Sequence, residues 1–507
     1  MVSWEAQPLV NSFDKVFMGA AGGVDLPSDD QFNRVSFLSH FDGANNGVNN
    51  AFDDGSASNH TITANGNVSQ GSFGPFARPD GEWSFNNTGS TNDSFKVTAH
   101  DNFDMTNPFT IEGWIFIPDL AVNKLLFGRE NNYWMTHDYQ GIGGASGKLG
   151  FSYQNSGSWG TINASAATVA NTWYFLQATY VGTTVTFYIN GVSQGTASVG
   201  SPSSNTDKPF YVLSGPGAKA TGTASNVRLS SVARSTSLPT AKFTSDSDTE
   251  LLVCQSNRFV DNGPDGHTIT TTAGASVSAF GPFLTSAVYD AAVNGASAYL
   301  DGSGDYLTIS ASADFNFGTG DATLECWIYP ASSVGMLFAT GNASSSDQFG
   351  IFNSSEGLWW GQTSSNSSRP SGNQWAHVAV SREGNTIRRY INGVQASTGT
   401  NTGSIGSSSA TAYVGRRPSG GHEFGGYIAD LRVVKGTAVY TGASAFTPPT
   451  APLTAITNTK LLLNMADGQA IDSAAQNNLT LAGTAKTSTA QKKFGDASIL
   501  FDGNSDY

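Results

Sequence analysis

Residues 110–117 read Thr-Ile-Glu-Gly-Trp-Ile-Phe-Ile. Side chains of an extended chain point alternately to opposite sides. Gly113 and the isoleucines therefore share one side, whereas Glu112, Trp114 and Phe116 share the other. This period of two predicts a β-strand. Because bulky apolar groups occupy both sides, the strand is predicted to lie between the two packed sheets of a β-sandwich.

A second alternating run, residues 183–189, ends at the dipeptide Asn190-Gly191. Asn-Gly favours a two-residue hairpin turn because both residues tolerate positive φ angles. The dipeptide Asn392-Gly393 closes a comparable run later in the chain. Both dipeptides therefore predict antiparallel hairpins.

These stretches belong to a long internal repeat. Gly74-Pro-Phe76 returns as Gly281-Pro-Phe283, an offset of 207 residues (281 − 74), and Tyr188-Ile-Asn-Gly191 returns as Tyr390-Ile-Asn-Gly393, an offset of 202 (390 − 188). Residues 110–114 return in the same order as Thr323-Leu-Glu-Cys-Trp327. A period near two hundred residues has the size of a whole domain.

The end of the chain repeats the beginning of the unit. Leu251-Leu-Val253 matches Leu461-Leu-Leu463, and residues 300–306 match residues 501–507. The predicted domains are therefore an N-terminal anchoring arm (1–34), a first β-sandwich (35–246), a second β-sandwich (247–450), and a linker with an incomplete third repeat (451–507).

Composition supports an all-β protein and excludes several classes of function. The chain of 507 residues has 58 glycines and only 13% charged residues, as expected for many short strands and turns. Its net charge of −14 argues against a nucleic acid partner. No signal peptide or membrane-spanning segment is recognisable, which predicts synthesis in the host cytoplasm without membrane insertion. Cys254 and Cys326 are predicted to be buried free thiols.

The predicted arm carries the apolar residues Trp4, Phe13, Val16 and Phe17 and is followed by the glycine-rich stretch 19–23. An apolar segment too short to fold alone suggests docking onto a partner. Packing of the arm against the first domain is an equally good interpretation.

Taken together, the motifs resemble the concanavalin A-like lectin/glucanase superfamily, and within it the laminin G-like domains of marine phage virion proteins. The resemblance covers the chain from about residue 35 to its end and rests on residues 300–306, 313–317, 323–328, 374–379, 390–394 and 428–433. It implies tandem jelly-roll β-sandwiches, each made of two curved antiparallel sheets. Members of the family mostly bind glycans or proteins.

The superfamily also includes glycoside hydrolases, which need two carboxylates at a fixed separation. Glucanase relatives carry Glu, Asp and Glu at alternate positions of one strand. Here Glu112 and Glu325 are followed at the next same-face positions by Trp114 and Trp327. The acid/base partner is missing, so each glutamate is predicted to meet an arginine or the backbone inside the sandwich, and no enzymatic activity is expected.

Calcium is the one cofactor that the sequence suggests. Asp301 and Asp305 flank a glycine-containing loop and could supply oxygen ligands to a weak calcium site. The alternative is that both carboxylates stabilise the turn itself.

Glycan binding usually needs aromatic faces and short polar groups. The candidate residues are Tyr133, Trp134, His137 and Trp159 in the first repeat and Trp359, Trp360, Arg416 and Arg417 in the second. Core packing is the alternative role for these aromatic residues. Since Trp359 and Trp360 are adjacent on a predicted strand, at most one of them is expected in the core.

The sequence therefore predicts a phage virion structural protein, either a tail fibre or a tail-associated adhesin that binds host-surface glycans. One alternative is a capsid decoration or head fibre protein attached through its N-terminal arm to other virion proteins. A second alternative is a polysaccharide hydrolase. By analogy with phage fibres, a homo-oligomer on the tail or capsid surface is expected.

Overall fold

The computed structural model describes residues 61–65, 69–71, 83–89, 94–120, 123–216, 218–272, 275–278, 291–331, 335–340, 348–352, 357–360, 369–465, 484–491 and 498–502. Strands dominate this part of the chain. Its helical segments are one short α-helix, Ala291–Asn294, and the 3₁₀ turns Asp101–Phe103, Gln140–Ile142 and Ala313–Phe315. No helix in these ranges has the length and hydropathy of a membrane span.

The strands are numbered in chain order. Those up to the end of the first repeat are β1 Ile62–Asn65, β2 Ser69–Gly71, β3 Ser84–Asn87, β4 Ser94–Val97, β5 Phe109–Ile117, β6 Lys124–Arg129, β7 Tyr133–His137, β8 Leu149–Asn155, β9 Ser158–Asn163, β10 Thr172–Val181, β11 Thr184–Ile189, β12 Val192–Ser198, β13 Phe210–Val212, β14 Ser214–Gly215, β15 Ala218–Lys219 and β16 Gly222–Ser230. Those that follow are β17 Thr249–Val253, β18 Ile269–Thr272, β19 Ala275–Ser278, β20 Ser297–Asp301, β21 Tyr306–Ile309, β22 Asn316–Gly318, β23 Ala322–Pro330, β24 Gly335–Ala339, β25 Gln348–Phe352, β26 Gly357–Trp359, β27 Ala376–Glu383, β28 Thr386–Ile391, β29 Val394–Thr400, β30 Ile405–Gly406, β31 Ala412–Val414, β32 Gly425–Lys435, β33 Thr459–Leu463, β34 Lys486–Ser488 and β35 Ser498–Leu500.

The first module is a sandwich of two antiparallel sheets. One sheet has the order β12-β11-β10-β5-β16-β3-β19, with β17 also paired to β16. The facing sheet has the order β18-β4-β13-β6-β7-β8-β9. Ile111 and Ile115 from the first sheet pack with Phe127 and Phe151 from the second in one buried core. The first sheet is named the inner sheet below, and the second the outer sheet.

The second module repeats this arrangement. Its inner sheet has the order β2-β20-β32-β23-β27-β28-β29, with β33 paired to β32, and its outer sheet has the order β1-β21-β31-β24-β25-β26. Leu324 and Ile328 of the inner sheet pack with Phe338 of the outer sheet and with Trp360, which directly follows β26. The prediction of an all-β chain with tandem jelly-roll sandwiches is confirmed.

Both predicted Asn-Gly hairpins are present. Asn190 and Gly191 have φ angles of 49° and 80° and join β11 to β12, and Asn392 and Gly393 have φ angles of 50° and 78° and join β28 to β29. A Cβ atom on Gly393 would lie 1.8 Å from the carbonyl oxygen of Phe446. Glycine is therefore required here by both its φ angle and its surroundings.

The prediction that β5 lies between two sheets is right for one face only. Ile111 and Ile115 face the outer sheet, but Trp114 and Phe116 pack with Phe243 in a separate cluster. Phe243 belongs to the irregular segment between β16 and β17. This segment covers the far side of the inner sheet in place of a third layer of strands.

The two modules contact each other through a second aromatic cluster. Trp83, next to β3 of the first module, packs with Trp327 and Trp375 of the second. The backbone N–H of Trp375 also donates to the carbonyl oxygen of Asn257 at 2.9 Å. The far side of the second inner sheet is thus covered partly by the first module and by residues 254–268, which lie between β17 and β18.

A buried ion pair links the two central strands of each inner sheet. Arg228 on β16 donates from Nη2 to Glu112 Oε1 at 2.6 Å, and Arg432 on β32 donates from Nη2 to Glu325 Oε1 at 2.5 Å. Glu112 and Glu325 are 2% and 0% exposed. The prediction that each glutamate meets an arginine is confirmed, but the pair lies on the far side of the inner sheet, under the segment that covers it, and not between the two sheets.

A bulge beside each ion pair places a polar residue in the left-handed conformation. The residues are Asn226 (φ 50°) and Asp430 (φ 52°). Asn226 Oδ1 accepts the backbone N–H of Phe243, as Asp430 Oδ1 accepts that of Leu453. Burial, with a smaller contribution from the nearby Glu325 carboxylate, raises the pKa of Asp430 to about 7 against the opposing effects of the hydrogen bonds from Asn464 and Leu453 and of the Arg432 charge.

Replacing Glu325 with glutamine leaves the buried guanidinium of Arg432 without a counter-charge. We expect the free energy of unfolding to fall by roughly 3–5 kcal/mol, as is usual when one partner of a buried ion pair is removed. Guanidinium chloride unfolding followed by tryptophan fluorescence measures the change.

The control is Glu383→Gln, since Glu383 pairs with Arg388 at 2.7 Å on the surface and its side chain is 47% exposed. This control is expected to cost about 0–1 kcal/mol. Equal losses in the two variants would contradict a special role for the buried pair.

Asp430 gives a second prediction, because its pKa in the folded protein lies above its ordinary value. The folded state then binds the proton more tightly than the unfolded state, so this contribution to stability is present at low pH and is lost as the pH rises from about 4 to about 7. Asp430→Asn should therefore raise the melting temperature relative to the parent at pH 8, and the gain should shrink at pH 5.

Calorimetry at the two pH values measures this difference. The matched control is Asn226→Asp at the equivalent position of the first module, which should lower the melting temperature more at pH 8 than at pH 5. A gain from Asp430→Asn of the same size at both pH values would exclude titration of this carboxyl.

Candidate functional site

The far side of the first module's outer sheet carries a row of side chains across neighbouring strands. The register aligns Lys96 on β4 with Tyr211 on β13, Tyr211 with Gly128 on β6, and Gly128 with Trp134 on β7. Trp159 on β9 points to the same side, because it pairs with Gln154, two residues from the partner of Trp134. We call Tyr211, Trp134 and Trp159 the aromatic row.

Gly128 allows the rings of the row to meet. The centroids of Trp134 and Tyr211 are 6.0 Å apart, and the ring planes are inclined by 29°. A Cβ atom on Gly128 would lie 2.7 Å from Trp134 Cα and 2.9 Å from Trp134 Cε3. Any larger residue at position 128 would therefore displace the Trp134 indole from its place over β6.

The loop after β7 forms a wall at one end of the row. Asp138 anchors it, since its carboxylate accepts the Gly147 N–H at 2.9 Å, and this hydrogen bond lowers the pKa of Asp138. Thr161 on β9 donates its hydroxyl to the Ile142 carbonyl at 2.5 Å. Tyr139 and Ile142 of the loop pack with the aromatic row.

Access differs along the row. Trp134 is only 3% exposed, because the β14–β15 hairpin and the loop lie against it. Tyr211 and Trp159 are half-buried, and Lys96 is exposed at the end of the row. Burial raises the pKa of Tyr211, and the Glu130 carboxylate, which accepts a hydrogen bond from it, raises it further. The row thus offers two accessible ring faces beside a buried indole.

The structure places the other candidates of the first repeat in the core. Tyr133 and His137 lie on the opposite side of β7 from Trp134 and are both 0% exposed. Tyr133 donates its hydroxyl to the Phe103 carbonyl at 2.6 Å. A ligand at the surface has no access to these two side chains.

Equivalent positions of the second module hold a different set of groups. Tyr413 on β31 occupies the place of Tyr211 and lies 6.1 Å from Tyr306 on β21, measured between ring centroids. The guanidinium of Arg416 lies 4.2 Å above the Tyr306 ring. Gln348 takes the position of Trp134. The far side of this sheet is therefore also aromatic, but it lacks the central indole.

The remaining candidates of the second repeat separate as follows. Trp360 is 1% exposed and packs in the core against Phe317, with ring centroids 5.7 Å apart. Trp359 pairs with Gly350 on β25, but its side chain lies outside what the structure describes. Arg417 is half-buried in a turn and donates from Nε to the Gly420 carbonyl at 3.3 Å.

Asp301 and Asp305 bind backbone groups of their own loop. Asp305 Oδ2 accepts the N–H of Asp301 at 3.0 Å, and Asp301 Oδ1 accepts the N–H of Ser303 at 2.6 Å. Within the described ranges, no group of three or more His, Cys, Asp or Glu residues is arranged to hold a metal ion. Calcium binding by this loop stays a prediction. The arm residues Trp4, Phe13, Val16 and Phe17 lie outside the described residues.

The glutamates that a hydrolase interpretation would use are engaged elsewhere. Glu112 also accepts a hydrogen bond from Gln177 at 2.9 Å, and Glu325 accepts one from Tyr440 at 2.6 Å. His377 Nε2 lies 3.1 Å from Glu325 Oε2. Both carboxylates lie beneath the segments that cover the inner sheets, on the other sheet from the aromatic row.

A laminin G-like family model, described as the concanavalin A-like lectin/glucanases superfamily, matches residues 87–237 and 301–438. These two segments coincide with the bodies of the two sandwiches. Among curated proteins, none matches the chain.

Several solved structures are similar to parts of the chain. A putative carbohydrate binding protein from Bacteroides ovatus is 18% identical over 39% of this chain and 60% of its own, with a TM-score of 0.31. Mouse laminin α1 domains LG4-5 are 12% identical over 72% of this chain and 95% of their own, with a TM-score of 0.26. A galectin from Caenorhabditis elegans is 13% identical over 28% and 94%, with a TM-score of 0.19.

The chain spans about 60% of the length of the Bacteroides ovatus protein. The family model carries the assignment, since it covers more than half of the chain and falls on both sandwiches. This chain belongs to the concanavalin A-like lectin/glucanases superfamily, through two laminin G-like modules.

Proposed function

We propose that this chain is a non-enzymatic virion protein of a phage, a tail fibre or tail-associated adhesin, whose modules bind host-surface glycans. Membership of a superfamily that includes lectins supports a binding function. The resemblance of its motifs to modules of phage virion proteins supports the virion context. The observation that carries the binding proposal is the aromatic row on the first module's outer sheet.

The row has the chemistry of a sugar site. Aromatic rings pack against the apolar faces of sugar rings, and short polar side chains bind the hydroxyl groups. Tyr211 and Trp159 provide half-buried ring faces, and Gln154 on β8 and Thr161 on β9 lie beside Trp159 on the same side of the sheet. Trp134, in the middle of the row, packs in the same cluster as both rings. Such a site needs little rearrangement to bind.

Two modules in one chain favour adhesion. The second outer sheet presents Tyr413 at the position of Tyr211, with Tyr306 and Arg416 beside it. Linked sites gain avidity through their effective concentration, so weak individual sites suffice for firm attachment to a surface that displays many copies of one glycan. The differences between the two sets of side chains imply that the modules differ in affinity or in preferred sugar.

The engaged glutamates support the absence of glycoside hydrolysis. A general acid must reach the glycosidic oxygen and a second carboxylate must act on the other side of the bond. Glu112 and Glu325 instead hold arginines within the fold and are almost fully buried. A reducing-sugar assay on host polysaccharide should therefore show no release of product.

The glycan site is tested by removing the accessible rings. The double variant Trp159→Ala and Tyr211→Ala should bind the best ligand from a glycan array about fivefold more weakly or worse, since each lost aromatic contact costs about 0.5–1.5 kcal/mol. Titration calorimetry with that glycan measures the loss.

The control is Tyr188→Ala, because Tyr188 is half-buried on β11 of the inner sheet and lies away from the row. Binding should be unchanged in this variant. Undiminished binding by the double variant would refute the proposed site, provided that its circular dichroism spectrum matches that of the parent.

The N-terminal arm is proposed to attach the chain to the virion through Trp4, Phe13, Val16 and Phe17. Deletion of residues 1–30 should abolish incorporation into particles while the soluble protein still binds glycan. Immunogold labelling of particles with the intact chain distinguishes a tail from a head location. Incorporation of the truncated chain at the normal level would contradict anchoring by the arm.

A further inference from the structure

The strands that precede each module in the sequence pair with the other module. Strands β1 and β2 lie in the range predicted for the first domain, 35–246, and come before its other described strands, but they pair with β21 and β20 of the second module. Strands β18 and β19 precede the second module but pair with β4 and β3 of the first. We call residues 61–71 and 268–278 the leading segments.

The two leading segments are equivalent copies. The repeat offset of 207 residues (281 − 74) matches Ile62 with Ile269 and Ser69 with Ser276. Both segments have the same length, and each begins with Thr-Ile-Thr. Each module therefore binds the leading segment that belongs, by its place in the repeat, to the other module.

The register of pairing is the same in both modules. On the outer sheets, Ile62 lies opposite Ile309, and Ile269 lies opposite the equivalent Val97. On the inner sheets, Gly71 lies opposite Ser297, and Ser278 lies opposite the equivalent Ser84. A shift of one residue would turn every side chain of a strand to the wrong face. Because the registers are identical, we infer that the edge strands and the sequence of the leading segment together fix how the segment pairs.

The third repeat shows the same pairing without exchange. Its strand β34 pairs with β35, which follows it in the same repeat. Ser488 lies opposite Ser498, as Gly71 lies opposite Ser297. Strand β35 therefore binds a strand of its own repeat, β34. The register is the one in which β20 and β3 bind strands from the other module. Connectivity of the chain does not decide which segment is bound.

Each leading strand lies at the end of its sheet. Strands β1 and β2 end the two sheets of the second module, and β18 and β19 end those of the first. Without them, the backbone N–H and C=O groups of β20 and β21, or of β3 and β4, would be unpaired edges that readily accept another strand. The edge pair is thus a binding surface for an extended segment.

We propose that the leading segments are interchangeable and that every module presents the same docking edge, so that neighbouring modules are joined by reciprocal exchange of their leading segments. In the two sandwich modules, the partner of the edge is the Thr-Ile-Thr segment of the other repeat. This exchange adds main-chain hydrogen bonds to the aromatic contact between the modules and makes the tandem one unit.

The first experiment traps the exchanged register with cysteine pairs in the full chain. Ser69→Cys with Tyr299→Cys places cysteines opposite each other in the exchanged pairing. Ser69→Cys with Asn86→Cys does so in the local pairing, because Asn86 lies opposite the equivalent Ser276. Under mild oxidation, the first pair should cross-link and the second should not, as measured by mass spectrometry of peptides.

A cross-link of the first pair between two chains, visible as a dimer on a non-reducing gel, also supports docking of a segment from another repeat. Cross-linking of the second pair alone, or of neither pair, overturns the exchange.

The second experiment tests interchangeability. A chimera in which the sequence of residues 268–278 replaces residues 61–71 should keep its melting temperature within about 2–4 °C of the parent, a shift that corresponds to roughly 1 kcal/mol. A chain with residues 61–71 scrambled is the matched control and should lose more. A chimera that loses as much as the scrambled chain would refute interchangeability, even if the cross-link forms.

Discussion

The buried ion pair between the two central strands of each inner sheet is the constraint on which the modules depend. Burying Glu325 costs solvation energy that only Arg432 and further hydrogen bonds offset. The arginine reaches the carboxylate because the bulge at Asp430 shifts the register of its strand. The segment that covers this side of the sheet is fixed as well, because the backbone of Leu453 and Thr454 binds the Asp430 carboxyl group and the Arg432 guanidinium. One charge pair thus fixes strand register, bulge and covering layer together.

Much of this architecture could be predicted from local patterns in the sequence. Alternation in residues 110–117 identified the strand and the face of the glutamate, and the Asn-Gly turns fixed the hairpins. The cover over Trp114 could not be predicted in this way. Phe243 lies in an irregular segment, and such a segment has no periodicity that would show which sheet it covers. Aromatic residues on both faces therefore suggested a second sheet where a loop is found.

The candidate site was predicted only in part. Trp134 and Trp159 are among the glycan-binding candidates that the sequence indicates. The sequence could not show that Tyr133 faces the core, because two adjacent aromatic residues fit either orientation of a strand. Tyr211 was missed, since its strand of three residues is too short to show alternation. The repeat held a signal: Tyr413 stands at the same place between two small or apolar neighbours in the second copy.

The placement of β1 and β2 has a mechanical consequence. These strands lie on the second module, yet they stand nearest to the N-terminus of all described strands. Tension applied at the N-terminus reaches them before it reaches β3, so the load falls first on the interstrand bonds at the edges of both sheets of the second module. The first module remains slack until those bonds break. A chain held at this end therefore bears force through the module that is farther along the sequence.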